Sequence, residues 1–111
     1  MELNKLNFQT AEIIKDSWNI EIFENSFVVF ETIDNIFLLI YATIERDIIF
    51  YNLKLEKKIY KIKDAHQSII TNFRHINDPA NKNDLLLSND DNNIKIWNLK
   101  DRSCLREFKK K

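Results

Sequence analysis

The sequence predicts an all-β fold, with antiparallel strands gathered into two tandem four-stranded units. Three observations carry that prediction. Short β-branched and aromatic runs recur between turns rich in Asn and Asp. The stretch Asp84 to Leu99 reads as strand, tight polar turn, strand. Sliding the chain by 46 positions places Ile48, Phe50, Tyr51, Asn52, Leu53 and Lys54 on Ile94, Ile96, Trp97, Asn98, Leu99 and Lys100. A period of about 40 to 50 residues with several short strands per unit marks a repeat architecture.

The elements follow in chain order. Leu6 and Phe8 alternate with polar residues, and one strand is expected over about Leu6 to Ile14. Trp18, Ile20, Ile22 and Phe23 are apolar but carry no clear period. Phe27 to Phe30 is a β-branched and aromatic run. Ile36 to Ala42 is apolar throughout, as a strand covered on both faces would be. Ile48 to Leu53 and Lys58 to Ile62 complete the first unit. In the second, Ile69 to Ile76 is expected as a strand with Ile69, Thr71, Phe73 and His75 on one face. A loop over Asn77 to Asn83 holds the only proline, Pro79. Strands over Leu85 to Ser88, Ile94 to Leu99 and Cys104 to Phe108 follow. The division is therefore an N-terminal segment 1–25, a first unit 26–64 and a second unit 65–111.

Composition narrows the function. Apolar residues make up 44% of 111, which argues for a packed domain despite 31% charge. Lys and Arg total 17 against 17 Asp and Glu, so no net charge favours nucleic acid or anionic lipid. The terminal Lys109, Lys110 and Lys111 read as a solvated tail. One cysteine, Cys104, permits no internal disulfide and fits a reducing compartment. With neither a leader pattern after Met1 nor an apolar run of ~20 residues, a cytosolic or nuclear location is expected. Glycine is absent, and Asn35, Asn52, Asn92 and Asn98 are expected to take its place at positive φ.

The second unit resembles a WD-repeat β-propeller blade. Ala65-His66 stands where that family has Gly-His, Trp97-Asn98 where it has Trp-Asp, and Asp91 where it has a turn aspartate six positions before the tryptophan. The resemblance implies a hydrogen-bonded network of His66, Ser88, Asp91 and Trp97. The hairpin is one residue short, which leaves Asn89 as an alternative to Ser88. The first unit is degenerate: Tyr51-Asn52 replaces Trp-Asp and Glu45 replaces the aspartate. Closed propellers have about four to eight blades. A chain with about two is expected to belong to a larger or incomplete propeller.

Other chemistries find little support in the residues. Two histidines and one distant cysteine make a poor metal set. Ser88, His66 and Asp91 imitate a hydrolase triad on paper, but no nucleophile elbow or oxyanion glycine accompanies them. Phosphate-cradling loops need glycine. No cofactor and no catalysis are expected. The resemblance implies a scaffold whose partners are other proteins or peptides, or further blades. Ser68 and Asp90 are candidate partner-binding rim residues. A sheet that stacks nucleic-acid bases on Tyr41, Tyr51 and Tyr60 is the alternative.

Overall fold

A computed structural model describes residues 27–110. The expected strand over Leu6 to Ile14, and the unplaced residues from Trp18 to Phe23, lie outside the described residues. The fold is all-β, in two antiparallel four-stranded sheets. The first holds β1 (Phe27–Glu31), β2 (Phe37–Ala42), β3 (Ile48–Asn52) and β4 (Lys57–Ile62), neighbours in that order. The second holds β5 (Asn72–Asp78), β6 (Asn83–Asn89), β7 (Asn93–Asn98) and β8 (Cys104–Lys109), in the same up-and-down order. Among the described residues no helix is long and apolar enough to cross a membrane.

The repeat is visible in the hydrogen-bond register. Asn52 pairs with Leu38 and Asn98 with Leu85. A shift of 46 (98 minus 52) therefore relates β3 to β7, whereas β2 and β6 are related by 47 (85 minus 38). The extra residue lies in the hairpin of the first sheet. A β-bulge falls between Phe50 and Tyr51 in one sheet and between Ile96 and Trp97 in the other, again 46 apart. Asn52 Oδ1 accepts from Lys54 N–H, and Asn98 Oδ1 accepts from Lys100 N–H.

The two sheets stack, approaching most closely at β1 and β5. One face of the first sheet supplies Phe30, Leu38, Ile40, Ala42, Ile48 and Phe50 to a core shared with Ala65, Ile70, Phe73, Leu86 and Trp97. Alternate residues Val29, Leu39, Tyr41, Ile49 and Tyr51 form a second buried cluster on the other face. This burial of β2 on both faces is what its unbroken apolar sequence requires. The outer strands β4 and β8 are largely exposed and carry Lys57, Lys58 and Lys61, or Arg106 and Lys109, along their length. Charged side chains there discourage edge-to-edge pairing.

Three expectations need correction. The strand expected from Ile69 begins only at Asn72. Ile69 is 45% exposed whereas Ile70 is fully buried, because the chain from His66 to Thr71 is an irregular connection that does not keep strand alternation. The loop expected over Asn77 to Asn83 is shorter: β5 runs to Asp78, Pro79–Asn81 make one 3-10 turn, and β6 starts at Asn83. Of the four asparagines expected at positive φ, only Asn35 is there; among the described residues the other such positions are Arg46, Glu56, Asp64, Lys82 and Arg102. Asn52 and Asn98 act through their side chains instead, closing turns by accepting backbone N–H bonds.

Candidate functional site

The inward face of the second sheet carries a buried polar chain. Alternation along β6 and into its turn places Asp84, Leu86, Ser88 and Asp90 on that face, all buried. Trp97 lies opposite Leu86 on β7. His66 arrives from the connection between β4 and β5, with its side chain fully enclosed.

With His66 neutral, the form its burial favours, the distances set the direction of each hydrogen bond. Asp90 Oδ2 lies 3.0 Å from His66 Nδ1, and a carboxylate can only accept, so Nδ1 carries hydrogen. Nε2 is then a lone pair and accepts from the Ser88 hydroxyl at 2.7 Å. Ser88 Oγ in turn accepts from the Trp97 indole N–H at 2.8 Å. At the far end Asp90 Oδ1 accepts from the N–H groups of Asn92 at 2.7 Å and Asn93 at 2.6 Å. Four side chains and a turn are thus satisfied in one direction, as buried polar groups must be. Burial holds the His66 pKa below its ordinary value, against the opposing pull of Asp90. Burial pushes the Asp90 carboxyl up, but the Asn92 and Asn93 N–H groups and His66 together outweigh it and leave it below the usual carboxylate range.

The structure therefore brings His66, Ser88 and Trp97 together, with Ser88 and not Asn89 as the hydroxyl link. It exchanges the roles expected of the two turn aspartates. Asp90, expected at a partner-binding rim, is 5% exposed inside the network; Asp91, expected in the network, is exposed outside it. The cause is strand period: Asp90 is two residues beyond Ser88 and keeps its facing, while Asp91 falls on the opposite side. An Asx turn from Asp90 to Asn92 and Asn93 fixes that choice. Of the two rim candidates only Ser68 is partly accessible.

A second His–Asp pair was not foreseen. His75 on β5 stacks on Phe30 of β1, with ring centroids 3.7 Å apart and planes 5° from parallel. Its Nε2 meets Asp84 Oδ1 at 2.6 Å, and Asp84 Oδ2 accepts from Ile33 N–H at 2.7 Å. The hairpin of the first sheet is thereby tied to β6 of the second. His75 pairs with Leu86 and Asp84 with Asn77, so the two are diagonal neighbours on one face. That relation was available from alternation once the register was known.

Asp90, His66 and Ser88 are hydrogen-bonded in the order of a hydrolytic triad. Two facts describe the surroundings of the Ser88 hydroxyl. Ser88 has no solvent exposure, and its oxygen already accepts from Trp97. Among the described residues no group of three or more His, Cys, Asp or Glu side chains converges as metal ligands would. The three tyrosines do not share an open stacking face: Tyr41 and Tyr51 are buried, and Tyr60 is exposed with Arg102 4.2 Å over its ring.

The opposite face of the second sheet is open and largely apolar, with Arg74 and Arg106 on its outer strands. Ile76, Leu85, Leu87 and Ile96 are half-buried there, and Ile94 and Phe108 are 41% and 45% exposed. In the register given above, Ile76, Leu85, Leu87, Ile94 and Ile96 correspond to Phe30, Leu38, Ile40, Ile48 and Phe50. All five of those are in the core between the sheets. In comparisons with known proteins, no family model, no curated protein and no solved structure matches the chain.

Proposed function

We propose that this chain is a non-catalytic protein–protein interaction scaffold of the WD-repeat propeller type, supplying two sheet units of a larger assembly. The observation that carries the proposal is the open face of the second sheet. Its residues are the counterparts of those with which the first sheet packs on the second. The inner face of the second sheet thus displays in cis the kind of surface the open face is built to meet: an antiparallel sheet presenting Phe73, Leu86 and Trp97. Contacts of that kind run head to tail and continue until a ring closes or a partner caps them. Contiguous apolar area on a surface marks such an interface. The Trp97–Ser88–His66–Asp90 chain serves as a register pin within the unit, in the place where the family resemblance implies a network of His66, Ser88, Trp97 and a turn aspartate.

Sedimentation of the full chain tests the proposal. The expected result is concentration-dependent association that Leu87→Lys with Ile96→Lys abolishes while the β circular-dichroism spectrum stays unchanged. A wild-type chain that remains monomeric at millimolar concentration, and binds no more apolar dye than the double variant, overturns it.

A further inference from the structure

At the end of the sheets where β1 turns into β2, a cleft of about 190 Å³ opens between them. Its walls include Leu38, Phe50, Ile59 and Leu99. Three cations line it: Lys82, Lys100 and Arg102. None of the three forms an ion pair among the described residues. Two acids are also present, but Asp84 is already engaged by His75 and by Ile33 N–H, which leaves Asp34 alone against three positive charges.

Arg102 is the most informative of these side chains. It is half-buried, its guanidinium lies 4.2 Å over the Tyr60 ring, and its Nε–H is buried with no acceptor. A buried donor without a partner is costly, and a charged one more so. Guanidinium groups are suited to paired N–H bonds with a carboxylate. Arg102 also sits at positive φ, outside the preferred backbone region. The Ile33–Asp84 bond and the Phe30–His75 stack fasten the two walls to one another, so the cleft is part of the fold.

We propose that this cleft binds a small apolar carboxylate. Its hydrocarbon body lies between Leu38, Phe50, Ile59 and Leu99, and its carboxylate lies on Arg102 within the field of Lys82 and Lys100. Size sets the class. A cavity of roughly 150 Å³ holds a benzene-sized molecule, and drug-sized ligands occupy about 300–1,000 Å³. Nucleotides are therefore too large, and a short branched acid fits. The apolar walls argue against a bare inorganic anion.

Titration of the full ¹⁵N-labelled chain with 4-methylpentanoate tests this, followed by amide shifts at Ile33, Leu99, Lys100 and Arg102. Saturable shifts at these positions are expected. The affinity should be about tenfold or more lower for 4-methylpentanamide and for the acid with Arg102→Gln, the fold-change that loss of a charge-assisted bond produces. Lys100→Gln, at an exposed position, provides a second variant and should weaken the acid several-fold with folding intact. A peptide ending in Leu with a free carboxylate is compared in parallel. Binding tighter than the free acid identifies a chain terminus as the source, and equal or weaker binding identifies a free acid; both results support the carboxylate site. Equal affinity for acid and amide, inorganic phosphate binding as tightly as the acid, or unchanged binding in folded Arg102→Gln overturns it.

Discussion

Ser88→Ala is the perturbation that separates a polar chain from simple core packing. The hydroxyl is bonded at both ends: it donates to His66 Nε2 at 2.7 Å and accepts from Trp97 Nε1 at 2.8 Å. Its removal leaves an indole N–H and an imidazole lone pair without partners in a fully buried place. An unsatisfied buried group costs about 1–3 kcal/mol, so the two together give an expected loss of about 2–6 kcal/mol. That is a large part of the ~5–15 kcal/mol that holds a typical domain together. The volume lost is a single oxygen atom, so a cavity term contributes little. Urea unfolding followed by far-ultraviolet circular dichroism gives the number. Trp97→Phe removes the indole donor, and in the Ser88→Ala/Trp97→Phe double variant the orphaned N–H no longer exists. The double variant should therefore lose at least about 1 kcal/mol less than the sum of the singles. A loss below about 1 kcal/mol for Ser88→Ala, or strict additivity in the cycle, would refute the hydrogen-bond reasoning.

Other consequences follow from the same structure. Tyr41 is fully buried, its hydroxyl has no partner among the described residues, and burial pushes its pKa up to about 12; Tyr41→Phe should raise stability by about 1 kcal/mol, and a loss of that size would show that the hydroxyl is bonded. Because the folded chain resists protonating His66 and the unfolded chain does not, stability should fall as pH drops below about 6.5. A second fall should follow below the usual carboxylate range, as acid reaches the lowered pKa of Asp90. His66→Gln should flatten the first of these falls in a denaturation series against pH, and an undiminished slope would contradict the assignment. Arg46 is exposed at φ 69°, where glycine carries no Cβ penalty; Arg46→Gly should stabilise by about 0.5–1 kcal/mol in thermal melts, and destabilisation would count against strain there. A fluorophosphonate probe should leave Ser88 unlabelled in the native chain, since the hydroxyl is enclosed; an adduct found by mass spectrometry would reopen the hydrolytic reading.

The strands from Phe27 onward were legible because short β-branched runs, polar turns and a 46-residue repeat agreed with one another. His66, Ser88 and Trp97 were legible as a group through the family resemblance, and the register puts Leu86 and Trp97 opposite each other on the same face. The exchange of Asp90 for Asp91 shows the limit of carrying a motif over by position. The turn is one residue shorter than its counterpart in the first sheet, and counting back from Trp97 passes through that turn, whereas counting forward from Ser88 does not. Ile69 and Ile70 were misassigned because His66 has to turn inward, and a connection that buries a polar side chain need not keep strand alternation. The cleft cations were invisible because Lys82, Lys100 and Arg102 come from two separate turns of the second sheet and meet apolar residues of the first only after stacking. The asparagines misled for another reason: Asn closes a turn either through positive φ or through its side-chain oxygen, and composition does not distinguish the two.

The most direct test of the buried polar chain is the state of one ring. Long-range ¹H–¹⁵N NMR of His66 through a pH titration reads its charge and tautomer together. The account predicts a midpoint below the ordinary histidine value and, in the neutral ring, hydrogen on Nδ1 and a bare Nε2. A midpoint at or above the ordinary value, or hydrogen on Nε2 of the neutral ring, would contradict it.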